Sequence, residues 1–340
     1  MDAGDRFVMS ESSRVPVTVP VSLPDAPHAM PIPAPGALIP DGVPVDAAGV
    51  PVGEACPPPL VWQEVLAAYH SESQPWELDR GTRRLIGRTW GEGPPLYLLN
   101  GFVATAELYA LMVYLLRDSF RCVVFDTAVN PQSRRERPSL SDFAEDVIAV
   151  ADHHEDRSVQ LFAPTFGAAV ALQAAMEHPG RITGLALQHG FASRRLSWSE
   201  RLLAGWCRGS RRTLASLPWR RRVQELNHRR WFPPFDGSRF DFLVASTGAI
   251  PLTDLAQKAL AVHAVRLEDR LRDVRCPVLL VRTEGQGQLE TAGHAVLESG
   301  LSDARTEWLH STGLHPYLTH PHRLARLLKT FFLDGSQHDH

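Results

Sequence analysis

No run of about 18 apolar residues occurs anywhere in the 340-residue chain, so no segment is expected to cross a bilayer as a helix. Cysteine is scarce. The four present (Cys56, Cys122, Cys207 and Cys276) show no pair spacing, the chain does not open on a charged segment followed by an apolar one, and no lipidation signature is found. These absences predict a reduced, cytoplasmic protein. A dominant sign of charge is missing too: the net charge is −3, which gives no global push toward nucleic acid or a membrane surface. Lysine is nearly absent, Lys258 and Lys329 being the two, so basic character here means arginine.

What the chain does have is order in its punctuation. Residues 1–58 carry proline every few positions, as in Val15-Pro16-Val17-Thr18-Val19-Pro20 and Met30-Pro31-Ile32-Pro33-Ala34-Pro35, which predicts an extended or disordered leader with no packed element. From 59 to 334 the pattern becomes that of one α/β domain. A short helix near Leu60–Tyr69 precedes three early strands, separated by turn signals at Gly81, Gly91 and Pro94-Pro95. Helical and strand periods then alternate: helix 106–116, strand 122–125, helix 140–151, strand 158–162, helix 167–177 and strand 184–188. A helical insertion follows over about 193–262. Strand 278–281, helix 291–299, strand 306–310 and helix 321–332 complete the domain, and 335–340 reads as a frayed tail. Such alternation predicts a mostly parallel sheet with helices on both faces, and places the insertion as a cap over the sheet's carboxyl edge, where open α/β sheets bind ligands.

Ala163-Pro164-Thr165-Phe166-Gly167 joins the strand at 158–162 to a helix of small residues, where a G-x-S-x-G nucleophile elbow would stand. Threonine replaces the serine. An elbow nucleophile sits on strained backbone with φ above zero, where a β-branched residue is an outlier.

With these motifs in this order, residues 76–332 resemble the α/β-hydrolase superfamily. Within it the chain is most similar to the maspardin branch, through Ala104-Thr105-Ala106-Glu107 and the run Gln286–Leu318 that ends in Pro316-Tyr317-Leu318. The closer resemblance implies a cytosolic, non-catalytic protein that binds other proteins. The wider one implies a triad in the order nucleophile, acid, histidine. Thr165 takes the first position, and Gln286 falls where the acid is expected, with Glu284 and Glu290 as nearby substitutes. His315, in the loop before the last helix, takes the third. Oxyanion donors would be the N–H of Phe166 and one from the Asn100-Gly101-Phe102-Val103 loop. Asp126 reads as structural.

The insertion concentrates arginine, including Arg211, Arg212, Arg220, Arg221 and Arg222, with Trp198, Trp206, Trp219 and Trp231 between. This composition suits an anionic partner, whether carboxylate, phosphate or lipid; the plainer expectation is a solvated cap with a tryptophan-lined inner face. No metal-ligand spacing is completed by His310, His315, His320 and His322, and no cofactor motif is found. The expected function is therefore a binding or adaptor protein with a degraded triad, taking a protein or an acyl-type small molecule. The alternative is a carboxylic-ester hydrolase using Thr165 activated by His315.

Overall fold

The computed structural model describes residues 61–334, apart from Pro131, Gln132, Arg134, Arg135, Phe235, Ala264, Gln286, Gly287 and the side chains of 288–290 and 334. The expected leader over 1–58, the tail over 335–340, Gln286 and the Glu290 side chain thus lie outside the described residues. The strands are β1 (Gln74–Asp79), β2 (Arg83–Trp90), β3 (Pro95–Leu98), β4 (Arg121–Val129), β5 (Val159–Pro164), β6 (Ile182–Gln188), β7 (Val278–Thr283) and β8 (Ala304–Leu309). They form one sheet in the order β1-β2-β4-β3-β5-β6-β7-β8. β2 runs antiparallel to both of its neighbours, and every pairing from β4 to β8 is parallel.

Position in the sheet decides each strand's composition. β2 lies near an edge and alternates, with Arg83, Leu85 and Gly87 buried and Arg84 and Ile86 exposed. β5, β6 and β7 are central, and their runs of Leu, Val, Phe and Ala are buried on both faces. The two faces carry separate cores. On one, Tyr97, Leu99, Val123 and Leu161 pack with α3 (Leu140–His153) and α4 (Phe166–Glu177). On the other, Leu96, Leu98, Val124 and Phe162 pack with elements that include α1 (Trp62–Glu72) and α2 (Ala110–Leu116).

Between β6 and β7 lie four helices, α5 (Trp198–Cys207), α6 (Arg220–His228), α7 (Ser238–Gly248) and α8 (Leu252–Val262). After β7 come α9 (Gln288–Gly300), the single turn α10 (Pro316–Thr319) and α11 (Pro321–Asp334). The cap helices are tied down by polar contacts to the sheet domain. Trp62 Nε1 donates to Ser238 Oγ at 2.7 Å, and the Thr105 and Ser246 hydroxyls share a 2.6 Å hydrogen bond. Ser139 and Ser197 close capping boxes at the starts of α3 and α5, each with the acidic residue three positions on.

Candidate active site

Thr165 sits between β5 and α4 with φ 48° and ψ −106°, the positive-φ turn expected of an elbow and a costly conformation for a β-branched residue. Its surroundings hold it there. The Thr165 N–H donates to the carbonyl of Gln188 at 2.8 Å. One residue into the helix, Gly167 lies so close to β3 that a Cβ would meet Asn100 O at 2.9 Å. The rest of α4 is buried alanine, valine, leucine and methionine with Gln173, which lets the helix settle tightly on the sheet.

The loop after β3 faces this turn. Phe102 N–H donates to Thr165 Oγ1 at 3.2 Å, and a Cβ on Gly101 would come within 2.6 Å of that oxygen, so any larger residue there would displace the loop or the hydroxyl. Behind the loop, Lys258 Nζ reaches from α8 to the Gly101 carbonyl at 3.2 Å. Asn100 Nδ2 donates to Asp126 Oδ1 at 2.6 Å, and Ala106 N–H donates to the same oxygen at 3.0 Å. Burial raises the Asp126 carboxyl above its usual range, against the pull of the Ala106 N–H, Lys258 and Asn100. Burial lowers Lys258, and Asp126 and Asp254 counter it. These contacts bind the loop from behind. The N–H of Phe166 belongs to the first turn of α4, whose N–H groups have no acceptor within a helix, and it lies beside Thr165 as an oxyanion donor would.

His315 caps α10 and lines the same cavity as Thr165. Its Nδ1 is 2.7 Å from the hydroxyl of Tyr317, a ring that is itself buried and packed on Tyr109. The sequence marks Tyr317 only as part of the run Pro316-Tyr317-Leu318 and gives it no role at the site, although it stands two residues from the histidine. A phenol can orient the imidazole, but it carries no charge to stabilise an imidazolium. His228 of α6 meets His315 edge-on at 4.7 Å between centroids, and His189, with φ 52°, is held by Thr283 Oγ1 at 2.9 Å. Burial drives His315 well below the usual histidine range, and His228 and His189 add to the effect. His189 is lowered to about 4 by burial, then by His294.

The expected substitute acid is engaged elsewhere. Glu284 accepts from the Ser311 N–H and lies 3.2 Å from His310 Nδ1, because Ser311 turns at φ 63° and presents its N–H to the carboxylate. Among the described residues no carboxylate hydrogen-bonds His315. Between the loops that carry Glu284 and His315 sits Trp231: a Cβ on Gly313 would come within 2.4 Å of its ring, and one on Gly285 within 3.3 Å. Gln188 couples the remaining parts, its carbonyl holding Thr165 and its Nε2 donating to Leu314 O at 3.0 Å.

Thr165, Gly101, Phe102 and His315 open on one cavity of about 600 Å³. Phe191, Leu243 and Leu314 supply apolar wall, and Arg194, stacked over Phe102 at 5.3 Å, adds a cation to the lining. Cap residues Glu200 and Gln224 also line it. Three metal-type ligands meet, among the described residues, at Glu145, Glu177 and His178, which do not line the cavity.

Three of the cap arginines expected to bind an anion are already engaged. Arg220 turns inward to Thr247 Oγ1 and Val244 O, Arg221 pairs with Glu225 and Asp241, and Arg222 approaches Glu225 at 3.6 Å. Arg211 and Arg212 are exposed. Nor does tryptophan line the cap's inner face as expected: Trp198, Trp206 and Trp219 are 76–80% exposed, and Trp231 alone of the four turns to the site.

Residues 94–223 match the family described as the alpha/beta hydrolase fold. Among solved structures, the chain is similar to a hydrolase from Pseudomonas aeruginosa, at 18% identity and TM-score 0.63 over 77% of this chain and 98% of that one. It is also similar to the enol-lactonase from Burkholderia xenovorans, at 16% identity and TM-score 0.62 over 76% and 100%. A thermophilic esterase from Thermogutta terrifontis matches at 18% and 0.63 over 77% and 98%. The mostly parallel eight-stranded sheet with helices on both faces agrees with these likenesses, and the chain has the α/β-hydrolase fold.

Proposed function

We propose that this protein binds an acyl- or carbonyl-bearing small molecule in the cavity between sheet and cap, with little or no turnover, in the manner of a maspardin-like, non-catalytic member of its fold. The observation that carries this reading is the pairing of His315 with Tyr317 in place of a carboxylate. Without a negative partner an imidazole pushed toward its neutral form is a poor acceptor for a hydroxyl proton, and loss of the charged orienter in a serine protease costs about four orders of magnitude in turnover. The binding elements remain intact. The Phe166 N–H, with the Phe102 N–H once it leaves Thr165 Oγ1, suits a carbonyl oxygen, the apolar walls suit an acyl chain, and Arg194 in the lining suits a carboxylate. The reading also takes the protein to be cytoplasmic, supported by the unpaired Cys122, Cys207 and Cys276.

A second reading follows from the sharing of one cavity by Thr165 and His315: a slow ester hydrolase, with Thr165 Oγ1 as nucleophile, His315 as base and Tyr317 as orienter. In that reading the Thr165 oxygen would attack the ester carbonyl and give its proton to His315, the alcohol would leave with that proton, and water would then cleave the acyl-threonine to release the carboxylic acid. Hydrolysis of short- and long-chain p-nitrophenyl esters separates the two, with parent, Thr165→Ser, Thr165→Ala and His315→Ala compared side by side. Binding without turnover predicts silence in the parent and both alanine variants, together with displacement of a fluorescent fatty acid from the parent. Parent activity lost in both alanine variants would overturn it.

A further inference from the structure

Two of the cap helices, α5 and α6, turn large apolar residues outward, whereas α7 and α8 bury theirs. In α5, Trp198, Leu202 and Trp206 recur every four residues and so share one side, with Leu203 next to them; all four are 59–78% exposed, while the buried residue of the helix is Ala204. In α6 no residue is buried: Val223 and Leu226 face water, and the inward contacts are made by Arg220, Gln224 and His228. Trp219, which begins α6 with φ 62°, is 80% exposed. A soluble helix turns its large apolar residues to the core, and single exposed ones need no explanation; a set of them on two cap helices that line one cavity marks a contact surface.

We propose that the outward faces of α5 and α6 dock the protein on an anionic bilayer. Charge selects this occupant. Residues 197–231 contain nine arginines and two glutamates, Glu200 and Glu225, and both carboxylates are already used, by the Ser197 cap and by Arg221. Exposed Arg201, Arg211 and Arg212 therefore flank the apolar set as uncompensated cations. A second copy would bring the same excess of positive charge to a self-complementary contact, which opposes pairing through this face. A bilayer with anionic headgroups answers both features: tryptophan and leucine enter the headgroup boundary while arginine meets phosphate. The same two helices also flank the cavity, which Glu200 and Gln224 line. The docking surface stands whether or not the cavity holds an acyl ligand.

Flotation with phosphatidylcholine vesicles, with and without phosphatidylserine, tests this on the full chain. The parent should float with phosphatidylserine vesicles, bind plain phosphatidylcholine at least about tenfold more weakly, and detach in high salt. Trp198→Ser, Trp206→Ser and Trp219→Ser combined should abolish binding. Replacing Arg211 and Arg212 by Gln should weaken it about fivefold per charge. These side chains are exposed, so the circular dichroism and melting of each variant should match the parent; brominated lipids quenching the parent's tryptophan fluorescence give a readout that needs no variant. No binding by the parent, or equal binding by the tryptophan variant, would overturn the proposal. So would a concentration-dependent dimer abolished by the same substitutions without vesicle binding, which would assign the face to a second copy.

Discussion

Lys258 Nζ donates to the carbonyl of Gly101, and the N–H of that same peptide unit, on Phe102, donates to Thr165 Oγ1. A cation at one end of an amide draws electron density toward its oxygen and makes its N–H a stronger donor, so Lys258 acts on the candidate oxyanion site through one peptide bond. Lys258 is a positioning residue that no motif in the sequence marks. Lys258→Met should lower stability by about 1–3 kcal/mol, through the lost charged hydrogen bond and the less compensated Asp126. It should also move the Phe102 amide proton upfield in an NMR spectrum. An unshifted Phe102 amide in a folded Lys258→Met protein would show that no polarisation passes through the peptide.

Tyr317 and His315 make the next prediction. Tyr317→Phe keeps the ring against Tyr109 and removes the partner of Nδ1. The expected cost is about 1–2 kcal/mol in chemical unfolding, together with broadened His315 ring signals as the imidazole loses its orientation. An unchanged stability with an ordered ring would mean that packing by His228 suffices to hold it.

The sheet and its helices were legible because periodicity reports burial: β5, β6 and β7 read as apolar runs since both their faces are covered, and β2 alternates since it lies near an edge. Thr165 at the elbow was legible for a similar local reason, a strand running into a helix of small residues. Its partners were not. Lys258 comes from the cap, 157 residues from Gly101, and Glu284 turns to His310 through the backbone of a loop whose shape no side-chain pattern encodes. The cap's inversion was hidden as well. Trp198, Leu202 and Trp206 have the spacing of a buried stripe, and periodicity says only that residues share a side, never which side faces water.

Gly101 and Thr165 should be energetically coupled. A Cβ at Gly101 is opposed first by Thr165 Oγ1 at 2.6 Å and only then by Pro164 O at 3.4 Å. Gly101→Ala in the parent should therefore cost about 1–3 kcal/mol, through displacement of the loop. In a Thr165→Ala background the opposing oxygen is gone, and the same change should cost less by at least about 0.5 kcal/mol, which a double-mutant cycle of unfolding free energies measures. Additive costs would mean that the loop, and not the hydroxyl, resists the methyl group.

Acid should destabilise the protein before its carboxylates are titrated. His189 has its folded pKa lowered from 6.5 to about 4, and burial also lowers His315 well below its ordinary value. Between about 4 and 6.5 the unfolded chain therefore binds more protons at these positions than the folded one, so stability rises with pH across that window and falls as the solution is acidified. For His189 alone the full effect is about 3 kcal/mol. Asp126 and Asp146 act in the opposite sense, since burial raises both, but only from 3.8 up to their raised values. Denaturation midpoints measured from neutral pH down to the acid range should decline steadily through this window in the parent. His189→Gln should flatten the decline, because its amide can keep a hydrogen bond to Thr283 without taking up a proton. A midpoint that holds constant down to pH about 5 would show that neither histidine is kept neutral by the fold.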